Sequence, residues 1–196
     1  MPRGGRRLTL SPIGFDIVLA LGQAPGGLRL ADLAHVIGSP VSSVQTSLRI
    51  LVANELVRRE AVEPPRYRLE PQHPASAELV SLARVLPEPA RAIGVILRAS
   101  PAVTFAAVDA LGFVCVTGDD VEDAAMAALE ASLEAVASSR AETPAVMRMT
   151  APELERLVRV AVGLADRLRK ALVLKGHPPV VGRDAAGDTR RRKAAG

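Results

Sequence analysis

Asp119, Asp120, Glu122 and Asp123 form the densest set of hard oxygen ligands in the chain. Carboxylates so closely spaced are what a magnesium site would use. The same residues suit the start of a helix, where Asp119 or Asp120 caps and the acids face the positive end of the helix dipole. No glycine-rich phosphate loop accompanies them, so the expected role is structural. Cys115 is the only cysteine and sits among Phe113, Val114 and Val116, as a buried inert thiol would. His35, His73 and His177 are too dispersed to suggest a metal site. No Ser-His-Asp order or dinucleotide fingerprint is present, and neither catalytic residue nor cofactor nor metal is expected. The residues with the clearest chemistry are instead Ser39, Ser42, Ser43, Gln45, Thr46 and Arg49. Glutamine can pair bidentately with adenine, hydroxyls serve either a donor or an acceptor, and a guanidinium meets guanine or phosphate.

Two short helices around a tight turn, followed by a β-wing, must position that set. In residues 30–69 the first helix carries Leu30, Leu33, Ala34 and Ile37 at core spacing, and Gly38 ends it as a left-handed C-cap. Ser39 and Pro40 read as N-cap and first residue of the second helix. There Val44, Leu48 and Leu51 form the buried stripe, with Val41, Ser42, Gln45, Thr46 and Arg49 opposite. The segments 56–59 and 66–69 alternate apolar with charged residues around Glu63-Pro64-Pro65, giving two wing strands that present Arg58, Arg59, Arg66 and Arg68.

Residues 24–71 resemble the N-terminal DNA-binding domain of the isocitrate-lyase-regulator (IclR) type of bacterial transcription factor. The matching phrases are APGGLRLADLA, the IG-P-SSV pattern with its following leucines, NELVRR, and RYRLEP. The resemblance implies that the helix beginning near Pro40 enters the major groove and that the wing contacts the DNA backbone. Ser42, Ser43, Gln45, Thr46 and Arg49 would then take the recognition role, and Arg58, Arg59, Arg66 and Arg68 the wing role. The chain departs from the family in carrying Gln45 and Thr46 where an Arg or His is common. The hundred or so residues after the wing leave no room for the family's large effector-binding domain.

A first helix is expected from Ser11-Pro12, with an apolar face so wide that it needs the trihelical core on one side and a second subunit or the C-terminal part on another. After Pro71 to Pro74 the pattern reads α-β-β-α-β-α. Helical spacing over 75–86 and again through Ala92 to Leu97 is followed by a hairpin of strands 103–108 and 113–117, a helix to about Ser139, and a third strand over 145–149. A last helix opens with the capping box Thr150-Ala151-Pro152-Glu153 and runs one apolar stripe from Leu154 to Leu172, with outward pairs Glu155–Arg159 and Asp166–Lys170. The order of elements and the phrase LADRLRKALVLKG distantly resemble minimal nucleotidyltransferase domains, but the glycine-serine turn and spaced carboxylates of those enzymes are missing.

The expected class is α+β: a flexible basic arm (1–10), a winged helix-turn-helix (11–71), an α+β domain for dimerisation or sensing (75–176), and a disordered basic tail (177–196). Net charge is +4 overall but +3 over 1–70, −2 over 71–176 and +3 over 177–196, so the basic ends suit a polyanion. Aromatics are only 2% of residues, which argues against single-strand binding by base stacking. With no membrane span or signal core in the sequence, a cytoplasmic protein is expected. The expected function is a transcriptional regulator that reads a pseudo-palindromic operator in double-stranded DNA as a homodimer, with room for a small-molecule effector. A tethered nucleotidyltransferase-like enzyme and a protein-interaction module without DNA binding are the alternatives.

Overall fold

The computed structural model describes residues 10–118, 120–139, 143–161 and 163–177. The basic arm before Leu10, Asp119, and the tail beyond His177 lie outside the described residues. The N-terminal elements are α1 (Pro12–Gln23), β1 (Leu28–Arg29), α2 (Leu30–Ile37), α3 (Val41–Ala53), β2 (Val57–Glu60) and β3 (Arg66–Leu69). Ser11 caps α1 as expected, its hydroxyl accepting from the Gly14 N–H at 3.1 Å, and Pro12 follows inside the first turn. Gly38 is left-handed (φ 68, ψ 37), and both its N–H and that of Ser39 return to the Ala34 carbonyl. The following cap differs from the sequence expectation. Pro40 itself is the N-cap of α3, extended at φ −56 and ψ 140, with its carbonyl accepting from Val44 N–H at 3.2 Å. The helix begins one residue later than the Ser-Pro pattern implies, and no side chain caps it. Ser39 therefore does not act as the cap.

The wing is a three-stranded antiparallel sheet in the order β1-β3-β2. β1 is two residues long, too short to show any alternation in the sequence.

The chain continues through α4 (Ser76–Val85), α5 (Pro89–Ala99), β4 (Val103–Asp109), β5 (Gly112–Thr117), α6 (Asp123–Ser138), β6 (Val146–Thr150), α7 (Ala151–Val160), α8 (Leu164–Lys170) and β7 (Leu172–Lys175). The α+β class holds, as do the β4–β5 hairpin, β6, and the Thr150–Glu153 capping box. The end of the chain is corrected. Gly163, at φ 94, separates α7 from α8, and Leu172 leaves the helical stripe for a strand paired antiparallel with β4. A short apolar run such as Leu172-Val173-Leu174 has no period of its own, so the partner strand decides its conformation. Asp166 pairs with Arg169 at 2.8 Å rather than with Lys170, while Glu155–Arg159 is present at 3.9 Å. At α6 the N-cap is Glu122, without a side-chain bond, so Asp120 is not the cap.

The second sheet has the order β6-β5-β4-β7, with β6 parallel to β5 across the α6 crossover. Side chains alternate across β5 as a two-residue period requires. Phe113 and Cys115 face the large core under α5 and α6, whereas Val114 and Val116 join Phe105, Ala107, Met149, Leu154, Leu164 and Leu168 on the other face. Asp109 ties α8 to the hairpin. Its carboxylate accepts from the Leu111 N–H at 2.8 Å and from Arg167 Nε at 2.9 Å, and these two bonds, the backbone one first, hold its carboxyl below the usual range.

The large core is continuous from the helix-turn-helix to the sheet. It includes Ile17 to Leu21 of α1, Leu33, Val44, Leu48 and Leu51 of the turn motif, Ile93 to Leu97 of α5, and Leu129 and Val136 of α6. Its centre is α1, which packs on α2, α3, α4 and α5. The wide apolar face is thus covered by the C-terminal part of the same chain. Polar contacts follow the same route: buried Gln23 donates to Ser132 Oγ at 2.7 Å, and Asp16 is ion-paired with Arg91.

Candidate nucleic-acid interface

The residues expected to read bases stand on one face of α3. Val44, Ser47, Leu48 and Leu51 are buried, so Val41, Ser42, Gln45, Thr46, Arg49 and Ile50 are turned outward. Ser43 lies at the edge of this face and is half-buried. Thr46 donates its hydroxyl to the Ser42 carbonyl at 2.9 Å, so what it offers outward is acceptor lone pairs. The side chains of Gln45 and Arg49, one turn apart, form no hydrogen bond or ion pair among the described residues. Val41 (49% exposed) and Ile50 (43%) flank them as apolar groups of the kind that meets a thymine methyl. Ile50 was not anticipated, since an isoleucine in a helical pattern reads as core.

The wing arginines divide by register. Residues directly opposite in an antiparallel pair share a face, and the partners Arg29↔Arg66, Glu60↔Arg66 and Arg58↔Arg68 put Arg29, Arg58, Glu60, Arg66 and Arg68 on one face. Arg59 pairs with Tyr67 and belongs to the other face. Arg66 Nη1 donates to the carbonyls of Gly26 and Gly27 at 3.3 and 3.4 Å, which holds the loop after α1 against the wing. Arg68 donates to Glu60 at 3.1 Å, and Arg58 lies 3.8 Å from Glu70. Among the described residues Arg29, Arg49 and Arg59 are exposed and their guanidinium groups form no ion pair, although the Arg29 N–H donates to Asp32 at 3.4 Å. Arg29 escapes sequence reading because only its pairing with Arg66 brings it to the wing. Gly27 (φ 73) permits this approach: a Cβ there would fall 2.5 Å from Arg68 Cγ and 2.8 Å from the Tyr67 carbonyl. The charge of +3 over residues 1–70 rests on Arg3, Arg6 and Arg7, which lie outside the described residues.

The other chemical candidates are placed elsewhere. His73 is half-buried and accepts from the Ala75 N–H at 3.2 Å, while His35 and His177 are exposed. Among the described residues, no three His, Cys, Asp or Glu side chains are grouped to hold a metal ion, and no helix is long and apolar enough to cross a membrane. Cys115 is buried, and that desolvation pushes its thiol up from 9.0 to about 11. Iodoacetamide is therefore expected to leave Cys115 unmodified in the folded protein at pH 8 and to label it once urea unfolds the chain, as read by intact mass. Because the folded thiol holds its proton more tightly, stability should fall as pH rises from 9.0 towards about 11, and Cys115→Ala should remove that slope.

Residues 13–61 match the family model of the IclR helix-turn-helix domain. No curated protein and no solved structure matches the chain. The family match starts at α1, earlier than the resemblance read from the sequence, and ends just after β2 without reaching the second sheet. Residues 13–61 are thus similar to the helix-turn-helix domain of the IclR type, a similarity that points to a DNA-binding transcription regulator rather than an enzyme.

Proposed function

We propose that this protein regulates transcription by reading a pseudo-palindromic operator in double-stranded DNA as a homodimer. The observation that carries the proposal is the outward stripe of Ser42, Gln45, Thr46 and Arg49 on α3, backed by a buried stripe, inside a segment that matches a DNA-binding domain. In this reading α3 lies in the major groove, with Gln45 and Thr46 towards base edges and Ser42, Ser43 and Arg49 at the groove wall. Ser39, next to the turn, reaches the backbone. Residues 11–71 read the DNA, and residues 75–176 dimerise or sense an effector. The protein acts where the chromosome is, in the cytoplasm.

Base and phosphate contacts fail differently. Gln45→Ala is expected to weaken binding at the selected site by roughly 1 to 3 kcal/mol and to leave binding to random DNA nearly unchanged. Arg59→Ala should weaken both and reduce the salt slope by about one unit, since one fewer counterion is released. Arg68→Ala should reduce affinity further than Arg59→Ala, because it also uncovers the Glu60 carboxylate next to the phosphates. The site itself comes from selection of genomic fragments by the purified protein, followed by salt titrations of the winner. Absence of any enriched fragment would replace this reading by an interaction module, and steady nucleotide transfer with magnesium would replace it by an enzyme.

Dimerisation is supported by α4 and its C-cap, where Leu82 (43%), Val85 and Leu86 (53%) are exposed at helical spacing. Two recognition helices one duplex turn apart would be separated by about 34 Å. Light scattering is expected to give twice the 20.6 kDa chain mass, and Leu82→Glu with Leu86→Glu to return it to one. A monomeric mass for the unmodified protein would rule the dimer out.

A further inference from the structure

Between the end of α1, the base of the wing and α4 lies a cleft of about 530 Å³. Its apolar wall is formed chiefly by Leu21, Leu69 and Val80, and its charged groups are Arg68 and Arg84, with no acidic residue among its lining. Arg84 Nε is out of contact with solvent and has no hydrogen-bond partner. Buried N–H groups are almost always paired, so an unpaired one on a cationic side chain marks a place where an acceptor belongs. Arg68 engages Glu60 through Nη1 alone, at 3.1 Å. Two guanidinium groups with bonding capacity in hand therefore share a largely apolar cleft, whose other polar side chains are Ser76 and Ser81, and a cleft of this size and lining is the usual form of a small-molecule site.

We propose that this cleft binds an amphipathic monocarboxylate of medium chain length. The carboxylate accepts from Arg84 and Arg68, as the forked guanidinium geometry favours, and the chain lies along Leu21, Leu69 and Val80. A bare anion would leave the apolar wall wet, and a neutral amphiphile would bring no charge to match the two guanidinium groups. The site is also placed to act on the wing. Arg68 belongs to β3, and a ligand carboxylate competes with Glu60 for it. Ligand and DNA should then change each other's affinity by the same factor. This last step rests on the DNA-binding reading; the binding site does not.

Octanoate is the probe, titrated calorimetrically into the full-length protein below its micellar concentration, with acetate and octanamide as controls. Saturable octanoate binding at least tenfold tighter than octanamide, with none by acetate, is expected. Arg84→Met should weaken octanoate at least tenfold, and so should Ser81→Asp, which puts a carboxylate on the exposed rim of the cleft. Either variant suffices if the other fails to fold cooperatively. Equal binding of octanoate and octanamide, no saturable binding, or indifference to both folded variants would overturn the site. Octanoate binding by a protein that selects no DNA would sink the regulator reading and leave the site standing, whereas DNA selection without octanoate binding would do the reverse.

Discussion

Leu19→Ala is expected to destabilise the protein by about 2 to 5 kcal/mol and to do so in one transition for the whole described fold. Leu19 is fully buried, as are its neighbours Ile17, Val18 and Ala20, so four consecutive positions of one helix have no solvent side. That pattern arises only when neighbours surround the helix, and α1 packs on α2, α3, α4 and α5. Truncating Leu19 removes its transfer free energy and leaves a void that closely packed helices refill poorly. Two probes separate a shared loss from a local one. Tyr67, the only tyrosine, reports the wing by fluorescence, and Cys115, the only cysteine, reports the second sheet by thiol labelling. Their urea midpoints should coincide and shift together in Leu19→Ala. A wing signal lost well before Cys115 becomes reactive would mean that the two parts unfold independently despite their common core.

Arg91→Met is expected to cost about 3 to 5 kcal/mol, as loss of one partner of a buried ion pair does. Asp16 is the buried member, with its side chain 1% exposed, while Arg91 is 44% exposed. Arg91 Nε donates to Asp16 Oδ2 at 3.0 Å and its Nη2 reaches the same oxygen. Asp16 Oδ1 already has no partner, so removal of Arg91 leaves both oxygens unbonded in the core. Arg98 stands close by: desolvation lowers its pKa, the Asp16 charge opposes that shift, and Arg91 adds to it. Arg98 therefore returns part of the loss and sets the effect towards the lower end of the range. Adding Asp16→Asn to Arg91→Met should recover stability, since the uncompensated charge is gone. Thermal or urea unfolding of the two single variants and the double variant closes the cycle. If Arg91→Met alone were neutral, the pair would be serving α1–α5 geometry rather than stability.

The turn motif was legible in the residues because each of its signals is local. The α2 stripe, the left-handed Gly38, the Val44-Leu48-Leu51 repeat and the Thr150–Glu153 box act within one or two turns of backbone, where period and capping chemistry settle the conformation. The outward face of α3 followed from the same repeat, so the candidate recognition residues could be named before any tertiary contact was known. What the chain alone left open depends on partners far along it. β1 and β7 are strands because β3 and β4 supply hydrogen bonds, and their few residues have no period of their own. The apolar excess of α1 pointed to two neighbours, and only the fold made the second one α4 and α5. The wing arginines look equivalent in sequence, yet Arg66 is bound to carbonyls some forty residues away and Arg68 to Glu60 across the hairpin, while Arg59 stands exposed on the other face. Pairing between distant segments is set by which side chains and backbone edges the completed core brings together, and local propensity carries no term for it.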